Sequence, residues 1–129
     1  MKVVIQCGDP AKLIWSSPTT FYFPERYFLH PKLHIEFVEG LLRDSIVNEK
    51  YHKDMFQNNI IYIITNSEHI LNRFRVAKKE REIEILEIQF YPFGKEAPML
   101  PIRVDINGEL DKYPKDFMDE WSNLLMRLI

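Results

Sequence analysis

The stretch that decides the fold is Ile60-Ile61-Tyr62-Ile63-Ile64, which is followed directly by Thr65-Asn66-Ser67. Its residues are apolar and mostly β-branched, and a strand that is apolar on both faces is usually internal to a parallel sheet covered by helices. The three polar residues after it are of the types that cap helices. The sequence therefore predicts a buried strand and then a helix whose apolar face consists of Ile70, Leu71, Phe74 and Ala77.

The residues before this strand complete a strand–helix–strand unit. Thr19–Phe23 is the best early strand, with Phe21–Phe23 as its part of the unit, and Pro24 ends it. A helix is expected from Pro31, because proline suits the first helical position, where its missing N–H costs nothing. The apolar stripe of that helix consists of Leu33, Phe37, Val38, Leu41, Leu42 and Ile46. Asn48–Asn59 is then expected to be a loop that leaves room for a further turn of helix. A crossover of this length favours parallel, right-handed pairing of the two strands.

Further elements are expected on both sides of this unit. Ile83–Phe90 alternates apolar and polar residues, with a phase slip at Leu86 that predicts a bulge. Ile102–Ile106 predicts another strand, ended by the turn Asn107-Gly108. A terminal amphipathic helix is predicted from Phe117, Trp121, Leu124, Leu125 and Leu128. Near the start, Val3–Ile5 and Leu13–Trp15 are short apolar runs.

Composition limits the class of protein. The 129 residues suit a single α/β domain, 1–129, and 46% of them are hydrophobic, which argues against a disordered chain. Seventeen Lys and Arg against nineteen Asp and Glu give a net charge of -2, so no overall basic field attracts nucleic acid. Cys7 is the one cysteine, which excludes an internal disulfide and a multi-cysteine zinc site. No apolar run approaches a membrane span, and a soluble, cytoplasmic protein is expected.

Two groups of residues offer chemistry. His30 and His34 have the spacing of a metal-binding pair on one helical face, but Pro31 stands where the usual glutamate would be, which favours a structural role. A basic cluster could contact the phosphates of a nucleic acid, although such a run is more often the solvated face of a helix; it comprises Arg73, Arg75, Lys78 and Lys79. The sequence contains no G-x-x-x-x-G-K-[ST] phosphate loop and no serine or cysteine nucleophile motif.

Three segments in order resemble the distal part of one family. Pro24–Pro31 is similar to an E-x-P-E-x-H-L-H-P pattern that follows a Walker B strand, and Ile63–Arg73 is similar to T-H-S-E-x-L-L-N-R, which carries a switch histidine. Val104–Glu120 is similar to a glycine turn followed by W-P-x-G-F-F-D-E. With these three segments, the chain resembles ABC/SMC-like P-loop ATPases that are related to OLD-type and phage-defence ATPases. Within that family, it resembles the members that end in an uncharacterised C-terminal domain.

The resemblance implies a partial P-loop-ATPase-like fold and a set of nucleotide-proximal positions. It divides the chain into an ATPase-like distal half, 1–80, and a C-terminal extension, 81–129. The positions that match nucleotide-proximal family residues are Glu25, His30, Asn66 and Ser67. Glu25 is the possible catalytic remnant. The family's Walker B acid is replaced by Tyr22 and its switch histidine by Asn66, so hydrolysis, which needs all these parts at once, is not expected from this chain alone.

Together these features predict that the protein is a non-catalytic interaction module, which binds a partner ATPase chain or a second copy of itself. In the resembled family the sheet includes strands from an N-terminal half that this chain lacks, so one edge is expected to be open on the Phe21–Phe23 side. Val3–Ile5 or Leu13–Trp15 could pair with that edge instead. No cofactor is expected for the chain on its own. One alternative is an ATPase subunit completed in trans, in which Glu25 and Asn66 face Mg-ATP held by another chain. The other alternative is a nucleic-acid-binding protein.

Overall fold

The computed structural model describes residues 1–12, 20–22, 30–51, 60–94, 97–114, 117–118 and 127–128. They form a mixed α/β fold with one five-stranded sheet and two α-helices. The elements in chain order are β1 (Lys2–Gly8), β2 (Thr20–Tyr22), α1 (Pro31–Tyr51), β3 (Ile60–Ile64), α2 (Glu68–Lys79), β4 (Ile85–Tyr91) and β5 (Leu100–Arg103). The strand order is β2-β3-β1-β4-β5, and β5 is antiparallel to β4 while the other pairs are parallel.

The first strand lies at the centre of this sheet. The apolar run Val3–Ile5 is one of two that the sequence offers as an alternative cover for an open edge, but β1 pairs with β3 on one side and with β4 on the other. Val3 to Gly8 are all buried, which explains why the strand carries so few charges. Leu13–Trp15, the other run offered for that role, lies outside the described residues.

The predicted strand–helix–strand unit is confirmed. β2 pairs with β3 in parallel, with Thr20 opposite Tyr62 and Tyr22 opposite Ile64, and α1 connects the two strands. The helix extends to Tyr51, so the further turn allowed for at the start of the predicted loop is present. Phe37, Val38, Leu41 and Leu42 contact the core, whereas Leu33 is 44% exposed. The apolar stripe therefore reaches the core only after the first turn.

The second helix follows the prediction closely. Ser67 is its N-cap, and Ile70, Leu71, Phe74 and Ala77 are all buried. They belong to one core cluster with the inward residues of β1, β3 and β4, among them Ile5, Ile63 and Ile88. The spacing of three and four residues is thus explained by a single buried face.

The predicted bulge in β4 is wrong. The register with β1 runs without interruption from Lys2 opposite Ile85 to Gly8 opposite Tyr91. Leu86, Ile88 and Phe90 point into the core, and Ile85 is 51% exposed. Ile83 is also buried, but it precedes the strand and enters the core from a turn, so the apparent phase slip marks the start of the strand.

The predicted strand Ile102–Ile106 is shorter than expected. β5 ends at Arg103, and Val104 makes an isolated bridge to Leu110. The chain then turns, with Gly108 at φ +77 and its N–H donating to the Asp105 carbonyl at 3.0 Å. Ile106 lies in this turn and is 76% exposed. The alternation of apolar and polar residues in the sequence therefore continues beyond the end of the strand.

The C-terminal elements share the sheet and core of the N-terminal ones. β4, from the predicted extension 81–129, lies beside β1, and Phe117 packs edge-on against Phe90 at a ring-centroid distance of 5.4 Å. Trp121, Leu124 and Leu125 of the predicted terminal helix lie outside the described residues. Within the described parts of the chain, neither helix has the length and apolarity needed to cross a bilayer.

Candidate functional site

The candidate site lies at the carboxyl ends of β1 and β3, where ligands of open parallel α/β sheets usually bind. Asn66 follows β3 and Gly8 ends β1. The Gly8 N–H donates to Asn66 Oδ1 at 2.7 Å, and Asn66 Nδ2 donates to the Gly8 carbonyl oxygen at 3.0 Å. We call this reciprocal pair of hydrogen bonds the Asn66–Gly8 clamp. The clamp engages both Oδ1 and Nδ2 of Asn66, the residue that the resemblance places near a nucleotide.

Gly8 cannot be replaced in this position. Its φ of +104 is in the region that favours glycine. A Cβ there would lie 2.1 Å from the backbone oxygen of Tyr91, at the end of the neighbouring strand β4. The next residue, Asp9, donates its N–H to the same Tyr91 oxygen at 2.8 Å. The end of β1 is therefore packed tightly against the end of β4.

The turn after β1 places the positively charged side chain of Lys12 at this edge of the sheet. The side chain of Asp9 accepts the N–H of Ala11 at 3.0 Å and so stabilises the short 3-10 turn Pro10–Lys12. The ammonium group of Lys12 then donates to the carbonyl oxygens of Pro92 and of Ala97, the latter at 3.3 Å. Lys12 thus binds the connection between β4 and β5.

Ser67 is buried beside the clamp and joins the two helices. Its Oγ accepts the N–H of Ile70 at 3.2 Å and lies 2.6 Å from Nδ1 of His34 on α1. The hydroxyl can donate to Nδ1 or accept from it while it accepts from Ile70, so the direction of this hydrogen bond follows the tautomer of His34. His69 packs edge-on against His34 at a centroid distance of 5.6 Å.

A hydroxyl beside an imidazole is the arrangement of an activated nucleophile. Here it has no access to a substrate, because Ser67 is 2% and His34 is 6% exposed. The N–H of Ser67 is also bound to Thr65 Oγ1 at 3.1 Å. This pair therefore fixes the start of α2 against α1.

His30 and His34, the pair with metal-binding spacing, make separate contacts in the structure. His30 is exposed and its Nδ1 accepts the N–H of Lys32 at 3.1 Å, which caps the start of α1. His34 is bound to Ser67 instead. Among the residues that the structure describes, no three His, Cys, Asp or Glu side chains cluster as metal ligands would. Glu25, the possible catalytic remnant, lies outside the described residues.

The predicted basic cluster on α2 is largely engaged within the protein. Arg73 lies 3.5 Å from a Glu39 oxygen and 3.3 Å from a Glu82 oxygen. Arg75 donates from Nε to the Gly108 carbonyl at 2.7 Å, and Lys78 donates to the Glu84 carbonyl. Lys79 is exposed at the end of the helix.

Arg75 also lies 3.7 Å from a Glu109 oxygen. Acidic side chains thus stand against both arginines of the cluster, and the positive potential that phosphates would meet is reduced.

Several residues of this site were missed by the sequence analysis. No motif discussed above includes Gly8, Asp9 or Lys12. The sequence indicated only a turn there, because turn-forming residues follow the apolar run Val3–Ile5. The side chain of Cys7, the residue before Gly8, is part of the hydrophobic core, where burial raises the pKa of its thiol from 9.0 to about 12. That side chain is therefore an unreactive part of the core at neutral pH.

The chain is similar over residues 94–128 to a family described as "Protein of unknown function (DUF3696)". This match includes β5 and the turn at Gly108, and it overlaps the predicted Val104–Glu120 segment. It contains none of the positions predicted to lie near a nucleotide. No curated protein and no solved structure matches the chain.

Proposed function

We propose that this protein is a non-catalytic interaction module that resembles the distal half of an SMC/OLD-like ATPase. In this proposal it associates with another chain through the edge of its sheet at β2. The other chain is either a second copy or a partner ATPase chain that adds a strand to the sheet.

The observation that carries the proposal is the contrast between the two edge strands. β5 contains Pro101 and Arg103, both exposed, and proline and charged side chains at an edge prevent unwanted strand pairing. β2 has the sequence Thr20-Phe21-Tyr22, with no proline and no charge. Within the described residues β2 pairs with β3 alone. One edge is thus protected by its composition, and the other is suited to pairing.

The carboxyl-end site supports a role without catalysis. The Asn66–Gly8 clamp and the contacts of Lys12 engage polar groups of the edge where a nucleotide phosphate would be expected. A phosphate bound there would have to compete with these hydrogen bonds. The paired arginines of α2 similarly weigh against a nucleic-acid-binding function.

The test is the association state of the full chain by sedimentation velocity over a wide concentration range, alone and mixed with a P-loop ATPase chain of the resembled family. Thr20→Lys places a charge on the β2 edge and is expected to weaken association. Val76→Lys places the same charge on an exposed position of α2, leaves both sheet edges unchanged, and is the matched control, expected to leave association unchanged. Thermal melts of both variants verify that they are folded.

A monomer at every concentration that also fails to bind the ATPase chain would contradict the proposal. Equal effects of the two lysine variants would contradict the choice of the β2 edge. Hydrolysis of Mg-ATP that appears only in the mixture would instead favour the ATPase subunit completed in trans.

A further inference from the structure

Helix α1 has an exposed apolar position on the side that faces away from α2. Its contacts with α2 come from His34, 2.6 Å from Ser67, and from Glu39, 3.5 Å from Arg73. At about 3.6 residues per turn, Glu39 lies about 140° around the helix from His34 in one direction, and Leu33 lies about 100° in the other. Leu33 is 44% exposed. Because α1 joins β2 to β3 and α2 joins β3 to β4, the side of α1 away from α2 lies towards the outer edge of β2.

Gly40 lies on the same side of α1, two helical turns after Leu33. A glycine inside a helix is destabilising, since it loses more conformational freedom on folding than any other residue. Packing within the chain does not require it. Among the described residues, a Cβ at this position would have one heavy atom within 4 Å, Nη2 of Arg43 on the same helix at 3.8 Å. We call Leu33 and Gly40 the outer flank of α1; it is apolar, lacks a side chain at one position, and suits close contact with another helix.

The β2 strand beside this flank can pair with a copy of itself. β2 consists of Thr20, Phe21 and Tyr22, and none of them is charged. A two-fold axis perpendicular to the sheet makes two copies of β2 antiparallel neighbours in one continuous sheet. With the axis at Phe21, all three residues are paired, and position 20 lies opposite position 22 of the other copy. Phe21 then faces its equivalent, an aromatic pair of the kind that stabilises sheets, and no like charges meet.

We propose that the partner at the β2 edge is a second copy of this chain, bound through antiparallel β2 strands and through the outer flanks of the two α1 helices. This inference rests on the proposed function and chooses between the two partners named there. The axis that pairs the strands also keeps both α1 helices on the same face of the sheet, so the two outer flanks approach each other at one interface. A second copy therefore supplies both an uncharged edge strand and an apolar helix flank, in the arrangement that this side of the protein requires.

The first experiment is sedimentation velocity of the full chain and of α1 variants over a wide concentration range. Leu33→Lys is expected to weaken the dimer by about tenfold or more, because each dimer then buries two unpaired ammonium groups. Ile35→Lys is the matched control, since Ile35 is 36% exposed and lies on the Glu39 side of the helix, and it is expected to leave the dimer unchanged. Gly40→Leu crowds no described group of its own chain and is expected to weaken the dimer. Thermal melts verify that each variant is folded.

Disulfide trapping tests the arrangement of the two strands. Opposite positions of an antiparallel pair have Cα atoms about 4.5–5.5 Å apart, which a disulfide can span. An oxidised mixture of Thr20→Cys and Tyr22→Cys chains is therefore expected to give a covalent dimer. Either variant alone is not, because its two equivalent positions lie diagonally, about 7–8 Å apart. Wild type is the control without trapping, because Cys7 is buried in the core.

A monomer at every concentration would overturn the proposal. If that monomer still binds an ATPase chain through β2, the proposed function stands and only the choice of partner is wrong. A dimer that neither Leu33→Lys nor Gly40→Leu weakens would overturn the proposal as well. A mixture that gives no covalent dimer, or a single-cysteine variant that gives one alone, would contradict the antiparallel pairing on which it depends.

Discussion

Replacing Asn66 with alanine tests the Asn66–Gly8 clamp directly. The change removes two hydrogen bonds, of 2.7 and 3.0 Å, and leaves the N–H and C=O of buried Gly8 without the side-chain partners that they now have. At a net 0.5–1.5 kcal/mol for each bond, the expected loss in the free energy of unfolding is about 2 kcal/mol. For a chain of this length that loss corresponds to a decrease in melting temperature of roughly 6–10 °C.

The assay is urea unfolding followed by circular dichroism, with Asn72→Ala as the matched control. Asn72 is exposed on α2, and its Oδ1 accepts a 3.3 Å hydrogen bond from Arg75 Nη1. Its loss is expected to change stability by less than about 0.5 kcal/mol. If Asn66→Ala is as stable as this control, the clamp contributes nothing and the reasoning fails. Normal stability together with weaker Mg-ATP binding in a mixture with an ATPase chain would assign Asn66 to the nucleotide instead.

Three further changes test the packing around the site. Ser67→Ala removes the N-cap of α2 and the partner of His34, so a loss of about 1–2 kcal/mol in thermal unfolding is expected, most of which Ser67→Thr should restore. Gly8→Ala forces a Cβ against the Tyr91 oxygen at a positive φ, so a loss above about 3 kcal/mol or a failure to express folded protein is expected; near-normal stability would contradict the packing. The Cys7 thiol is expected to resist alkylation at neutral pH in the native state and to react on unfolding. Because its pKa is higher in the folded state, the unfolded chain loses this proton first, so stability should fall as the pH rises from 9.0 towards 12, and Cys7→Ala should remove that slope.

The elements that local patterns define could be predicted from the sequence. The Ile60–Ile64 run, the capping residues before α2 and the spacing of Ile70, Leu71, Phe74 and Ala77 each depend on neighbours within a few residues. Their environment in the structure matches, because one buried face or one buried strand produces such a pattern wherever it lies in the fold. Leu33 fits the helical spacing of α1 and Ile106 fits the alternation of β5, but both are exposed. A local pattern does not show where the packing partners of an element end.

The contacts that build the candidate site could not be predicted in this way. Val3–Ile5 looks the same at the edge or at the centre of a sheet, and its partners on β3 and β4 come much later in the chain. A polar residue at position 66 was expected at the carboxyl end of β3, but no motif connects Asn66 to Gly8. The conformation of Gly8 depends on Tyr91, a residue on another strand.

The central position of β1 has a consequence for how the chain folds. β1 is synthesised before both of its neighbours, and β3 and β4 are joined to each other in the sheet through β1. Lys2 pairs with Ile60 and with Ile85, so β1 has both of its partners only after the chain has been synthesised beyond β4. Such distant pairings slow folding, because loops must close before the contacts that stabilise them can form. We therefore expect the α1–β3–α2 region to organise first through its more local contacts, and β1 to enter between β3 and β4 afterwards.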